Sequence, residues 1–136
     1  MIEAVDLCKH YGSFAAVDQL SFSIKRGEVV AFLGPNGAGK STTMKVLTGY
    51  LAPTSGIARL CGLDVVKDRV KAAANLGYLP ENGPLYPEMT AREMLAFFGE
   101  ARGLTGQRFR DRLDYVTNET DLSELLDKTL GKCSKG

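Results

Sequence analysis

The sequence has no long apolar run. Its longest uninterrupted stretches, Val29 to Leu33 and Met94 to Phe98, are five residues each, far below the roughly 18 to 20 that a membrane-spanning helix needs. That excludes a bilayer crossing by a helix of this chain. The start, MIEAVDLCKHYG, has no basic segment followed by an apolar one, which argues against a secretory signal and for the cytoplasm. Cysteines are few: Cys8, Cys61 and Cys133 are odd in number, far apart and without a CxxC pair, so neither a disulfide framework nor a zinc site is expected. We read them as small buried or neutral residues, and the lone His10 as a solvated loop residue. An excess of charge is also missing. Lys plus Arg number 17 against 16 Asp plus Glu, with no block of five like charges, so the electrostatic footprint of a nucleic-acid binder is absent. Any phosphate must be held by local structure. At 136 residues the chain has the size of one ordinary domain and requires no metal or disulfide to close a core.

What is present begins as alternation and turns into helical periodicity. Apolar residues at every second position in Ile2 to Leu7 and at Leu20, Phe22 and Ile24, with Gly12 and Ser13 between, predict two antiparallel strands. Val29 to Leu33 is apolar on both faces, the pattern of a central parallel strand. After it, Met44, Val46, Leu47 and Leu51 sit near helical spacing, with Gly49 or Gly56 to close the helix and Pro53 as a stop. GIARLCGLDV predicts a short strand and turn, and AAANLGYLP a helix end leading into a strand that stops at Pro80. Thr90 and Glu93 fit a capping box for a helix with Ala91, Met94, Leu95, Phe98 and Ala101 on one face, ending at Gly103. Phe109, Leu113 and Val116 predict a second helix; Leu122, Leu125 and Leu126 predict a short third one, opened by Asp121 with Glu124 three positions on.

The chemistry concentrates in GPNGAGKST, residues Gly34, Pro35, Asn36, Gly37, Ala38, Gly39, Lys40, Ser41 and Thr42. Gly34, Gly37 and Gly39 permit positive φ and leave no Cβ in the way, so successive N–H groups can turn inward around a phosphate. Lys40 stands where the helix begins and can reach β- and γ-phosphates, with the helix N-terminus adding partial positive charge. Ser41 offers a hydroxyl to Mg²⁺, which neutralises phosphate charge during transfer. The stretch matches the phosphate-loop pattern G-x-x-x-x-G-K-[ST] in full. Average residue usage produces that pattern by chance in roughly one chain in 200 of this length, and the strand-like segment before it and helix-like segment after it are the context that supports it.

A phosphate loop alone does not separate a transport ATPase from a small-molecule kinase or a GTPase. The stretch from MIEAVDLCKHYG through GPNGAGKST to GIARLCGLDV, then LGYLPENGPLYPEMTAREML and finally LGKCSKG, resembles the ATP-binding subunit of ABC transporters over essentially all 136 residues. The resemblance implies an α/β P-loop NTPase fold of ABC type with an incomplete core sheet. An antiparallel β subdomain would take 1–28 and 56–66, and a phosphate-loop core 29–55, whose Val29 to Leu33 strand starts the parallel sheet. Residues 87–136 would form a helical subdomain and the start of the signature. It also implies that Tyr11 stacks on adenine, in preference to the reading of the bare residue as a strand-end tyrosine half buried in a turn, and that Thr42 reaches the α-phosphate. In YLPEN the family usually places glutamine, and Glu81 stands there instead. Glu81 is either a Mg²⁺ or water contact or a solvated acidic loop residue. PEN followed by LYPEMT resembles the branch associated with bacterial export and gliding motility. CSKG resembles the start of the family signature, with Ser134 and Gly136 on positions that contact a γ-phosphate bound by the opposite subunit, Cys133 in place of leucine and Lys135 in place of glycine.

The implied cofactors are ATP and Mg²⁺. The implied partners are a transmembrane permease and a second ATP-binding subunit, with the protein cytoplasmic and peripheral on the inner face of the membrane. Hydrolysis further requires an acidic strand end for Mg²⁺ and a group that positions water. After Lys40 no run of four apolar residues ends in Asp; LCGLD at 60–64 comes closest. The chain therefore resembles the N-terminal part of a longer protein, expected to hold nucleotide without hydrolysing it efficiently. Taken alone it is expected to be marginally stable or prone to aggregate at open sheet edges. Two other classes remain at this point. One is a non-catalytic nucleotide-binding module. The other is a soluble small-molecule kinase with Arg102, Arg108, Arg110 and Arg112 as a phosphate-clamping lid, against which the same arginines read as a solvated helix face.

Overall fold

A computed structural model describes residues 1–80 and 86–133, and the chain divides into two compact units, Met1–Tyr78 and Leu79–Gly136. In the first unit, β1 (Ile2–Tyr11) and β2 (Phe14–Ile24) form an antiparallel hairpin in which Tyr11 pairs with Phe14 across the Gly12 and Ser13 turn. β3 (Ser55–Leu60) adds antiparallel to the other side of β1, and β4 (Leu63–Asp64) to β3, giving the order β2-β1-β3-β4. His10 therefore lies in a strand, exposed, rather than in a loop.

The simple alternation expected along β1 breaks at Asp6. Asp6 takes φ 46° and the β1–β2 register shifts between Ala4 and Leu7, so Ala4, Leu7 and Cys8 are the buried residues of the strand. A bulge inserts one residue and changes which side chains face the core. Here the local ladder is replaced by side-chain bonds: the Asp6 N–H donates to Ser21 Oγ at 2.8 Å, and that hydroxyl donates to Asp6 Oδ1 at 3.0 Å. Opposite the bulge, Gly56 at φ 80° brings its backbone against Asp6, where a Cβ would stand 2.2 Å from the Asp6 carbonyl oxygen.

Helix α1 (Lys40–Leu47) follows the glycine-rich loop, and α2 (Arg69–Ala74) follows β4. Val46 and Leu47 of α1 pack with Ala4, Leu7, Ala58 and Leu60 of the sheet and with Val65 and Ala72 to form the core. Gly49, at φ 70°, ends α1, so of the two candidate glycines it is the nearer one that closes the helix; Gly56 belongs to β3.

Two expected strands do not form. Val29 to Leu33 joins no ladder, and Val29 and Leu33 are 101% and 90% exposed; only Phe32 is anchored, edge-on to Phe22 with centroids 5.3 Å apart. The segment before Pro80 likewise forms no ladder, with Leu79 exposed. A strand apolar on both faces is stable only between hydrogen-bonding neighbours with both faces covered, and among the described residues the only sheet is the antiparallel one. The fold is mixed α/β with an open antiparallel sheet.

In the second unit, α3 (Ala91–Ala101) opens with the expected capping box: Thr90 Oγ1 accepts from the Glu93 N–H at 3.2 Å, and Glu93 Oε2 accepts from the Thr90 N–H at 2.7 Å. α4 (Gly106–Glu119) follows, and the Phe109 ring packs where a Cβ on Gly99 would be, which lets α3 and α4 approach closely. The third helix is shorter than a full α-turn series: a 3-10 turn at Ser123–Leu125, then another at Leu130–Lys132. The segment between them fastens the start of α3, since the Ala91 and Arg92 N–H groups donate to the Lys128 and Leu126 carbonyls and Arg92 Nε pairs with Asp127 Oδ1 at 2.9 Å. Thr90→Ala is expected to destabilise this unit by about 1 kcal/mol, read as a shift of the urea midpoint. The Thr90 amide and hydroxyl hold the Glu93 carboxyl below its usual range. The capping contribution is therefore complete at neutral pH and is lost as the pH falls below about 4, a loss that circular dichroism follows and that Glu93→Gln should blunt.

Candidate functional site

The loop from Gly34 to Gly39 leaves the sheet side and ends on the first turn of α1. Gly39 is the N-cap, at φ 81° and ψ 3°, and its conformation is required twice over. The left-handed region penalises any Cβ, and a Cβ here would also stand 2.2 Å from the Ala16 carbonyl oxygen of β2. The turn before it is closed by the Ala38 N–H donating to the Pro35 carbonyl at 3.2 Å, with Asn36 and Gly37 at its corners. Within the helix the Thr43 N–H already bonds the Gly39 carbonyl at 2.8 Å.

Lys40 turns back over this loop. Its Nζ donates to the Gly34 carbonyl at 2.6 Å and the Pro35 carbonyl at 2.7 Å, which closes residues 34–40 into a ring with a cation at one side. The first turn of α1 carries no acidic residue, and its N-cap makes no side-chain bond. Its leading N–H groups have no partner inside any helix, and no acidic side chain in that turn competes for them. The side chains of Ser41 and Thr42 make no hydrogen bond among the described residues. Backbone amides, a helix N-terminus and an ammonium beside a glycine loop are the elements from which a site for an anion of phosphate type can be built. For Mg²⁺ the chemistry fits in a restricted way. No group of three His, Cys, Asp or Glu among the described residues could cage a metal, but a magnesium ion that keeps its waters and phosphate oxygens needs only one or two protein ligands.

Tyr11 is the last residue of β1 and is half exposed. Its strand partner Phe14 lies two residues before Ala16, whose carbonyl abuts Gly39, so the hairpin end stands about 7 Å along the strand from the start of α1. The Lys9 ammonium lies 5.5 Å from the Tyr11 ring centroid and donates to the Ala52 carbonyl at 2.9 Å. Sequence reasoning missed both Ala16 and Lys9. Lys9 was accessible, because strand positions two apart share a face; the approach of Ala16 to Gly39 joins distant segments and left no local signal.

Glu81, Ser134 and Gly136 lie outside the described residues. Of the arginines considered as a lid, Arg102 is the C-cap of α3 and the other three lie on α4, where Arg110 donates to Gln107 Oε1 and the Arg112 guanidinium lies 4.7 Å from the Tyr115 ring centroid. Interleaved with Asp111 and Asp114, the exposed Arg108, Arg110 and Arg112 belong to a solvated helix face. No helix among the described residues is long and apolar enough to cross a membrane.

Comparison with known proteins places this geometry in a family. Residues 17–136 match the family model described as ABC transporter. The chain is 41% identical over 125 residues to the probable multidrug ABC transporter ATP-binding protein YbhF of Escherichia coli, an alignment that covers 92% of this chain and 22% of that protein. It is 38% identical over its whole length to the uncharacterized ABC transporter ATP-binding protein YxlF of Bacillus subtilis, spanning 44% of that relative. Among solved structures, an ATP-binding subunit of an ABC transporter superposes with a TM-score of 0.87 at 32% identity, covering 99% of this chain and 56% of that one. The chain thus spans less than half the length of these curated relatives. The kinase alternative receives no support from any of them. A glycine loop closed by its own lysine at the head of α1, within a chain that matches the family model over residues 17–136, identifies the protein as a member of the ABC transporter family, in its ATP-binding component.

Proposed function

We propose that the chain binds MgATP through residues 34–42 and, within a protein of the relatives' full length, couples ATP hydrolysis to transport. The observation that carries this is the Lys40 ammonium held on the carbonyls of Gly34 and Pro35, a cation parked on a glycine-rich turn at the start of a helix. In this reading the amides of Gly37 and of Gly39 to Thr42 take the phosphate oxygens, and Lys40 leaves its loop carbonyls for the β- and γ-phosphates. Ser41 Oγ would supply a protein ligand to Mg²⁺, and Thr42 would meet the α-phosphate. Magnesium, when bound, neutralises charge that builds on the phosphates. Tyr11 offers its open ring face to adenine, a role supported by its exposure and its place at the hairpin end. Glu81 is proposed as a further Mg²⁺ or water contact, and Ser134 and Gly136 as contacts to the nucleotide of a second subunit.

The division into a β subdomain, a phosphate-loop core and a helical subdomain is proposed on the same basis, as are the partners. Two ATP-binding subunits would close head to tail over two nucleotides on the cytoplasmic face of the membrane. A transmembrane permease would follow that closure between its two facing states, with tighter ATP binding to the closed state supplying the work. Relatives named for multidrug transport and bacitracin transport support the transport role. The test is a nucleotide series by equilibrium dialysis. Affinity is expected to rise from AMP to ADP to ATP, with each added phosphate worth about tenfold. Equal affinity for all three would refute a site built around the phosphates.

A further inference from the structure

From the loop geometry we infer that Asn36–Gly37 is a self-modification site, at which the empty phosphate loop converts its own asparagine to aspartate and isoaspartate and from which bound nucleotide protects it. Asn36 and Gly37 occupy the two corners of the turn closed from Ala38 to Pro35. Both are exposed. Gly37, at φ 85°, has nothing within 4 Å of where its Cβ would be, and neither its N–H nor the Asn36 side chain has a hydrogen-bond partner among the described residues. The nucleophile and the electrophile of a cyclisation are therefore adjacent, unhindered and unengaged.

The step balances without any oxidant or cofactor. The Gly37 backbone nitrogen, having given its proton to solvent base, attacks Asn36 Cγ; the N–Cγ bond forms, the Cγ–Nδ2 bond breaks, and ammonia leaves with a proton from solvent. Water then opens the five-membered imide at either carbonyl, giving an aspartyl or an isoaspartyl linkage. The surroundings favour the anionic nitrogen. The Lys40 ammonium lies on the Pro35 carbonyl, one residue away, and the N-terminus of α1 adds positive potential. The other described asparagines lack this combination. Asn75 is followed by Leu76 and its side chain donates to the Lys71 carbonyl, while Asn118 precedes Glu119 inside α4.

The coupling to nucleotide rests on the proposed function. A phosphate that takes the Gly37 amide removes the nucleophile and neutralises the field that activates it. Conversely, the product puts a carboxylate into the anion receptor. Asn36→Asp, the product's direct mimic, is expected to bind MgATP about tenfold more weakly or worse, from like-charge repulsion.

The test incubates the full chain in mildly alkaline buffer with and without saturating MgATP, with dialysis to establish occupancy and circular dichroism to follow the fold. Peptide mapping with isoaspartate detection separates Asn36 from Asn82, which is also followed by glycine. The expected result is conversion of Asn36 in the nucleotide-free protein while Asn75 and Asn118 stay intact, suppression by MgATP of at least tenfold, and ATP-binding capacity that declines in step with conversion. Asn36→Gln, whose longer side chain closes the ring slowly, should keep whatever capacity it starts with. An intact Asn36 in nucleotide-free folded protein would overturn the proposal, as would equal conversion at verified MgATP saturation. Conversion of Asn36 in a protein that fails to bind MgATP would instead sink the nucleotide reading and leave the modification site standing.

Discussion

Lys40→Ala is expected to weaken MgATP binding by about ten- to a hundredfold, the equivalent of the roughly 1.5–3 kcal/mol that a hydrogen bond to a charged group contributes, and to abolish turnover in the full-length protein. The same substitution should leave stability within about 0.5 kcal/mol of the original. Nothing in the fold depends on the ammonium, because its two partners are exposed carbonyls of its own loop, which water can satisfy once the side chain is gone. That separation makes the variant informative. Binding loss with an unchanged urea midpoint assigns the lysine to the ligand; binding loss with a lowered midpoint would assign it to the fold. Retained transport by the Lys40→Ala protein would sink the functional assignment.

Gly56→Ala is expected to cost about 3 kcal/mol or more, enough to remove most of the stability of a small unit. The methyl would stand 2.2 Å from the Asp6 oxygen, 2.5 Å from the Asp6 carbonyl carbon and 2.7 Å from Leu7 Cα, all backbone atoms with no rotamer to relieve the clash. Relief would require parting β1 from β3, and Leu7, the fully buried centre of the core, sits at that junction. To this is added about 1–2 kcal/mol for a side chain in the left-handed region. Gly62→Ala separates the two contributions. It has the same φ of 80° but nothing within 4 Å, so only the smaller loss is expected there, measured by the same denaturant titration. Equal losses at the two sites would show that backbone conformation, and not the β1–β3 approach, limits stability.

The glycine-rich turn leading into α1 was legible because its information is local: three glycines and a lysine at fixed spacing mark a tight loop at a helix start. The hairpin and α3 were legible for the same reason, each marked by its own turn or capping box. What failed depended on distant partners. Val29 to Leu33 has the composition of a buried strand, yet composition cannot supply the neighbours that would bury it, and Val29 and Leu33 stand in solvent. The bulge at Asp6 was invisible because apolar alternation carries no mark of a skipped residue, although Gly56, opposite it, is the glycine that makes the bulge possible. Ala16 escaped notice because its contribution to the site is a carbonyl, which every residue has.

The measurement that tests the central claim most directly is a titration of the isotopically labelled protein with MgATP, following backbone amide resonances. Saturable shifts concentrated at Gly37 to Thr42, reduced in Lys40→Ala, are the result expected if the loop holds the triphosphate. Saturable ATP binding that leaves those amides unmoved, or a folded protein that shows no binding at all, would contradict it.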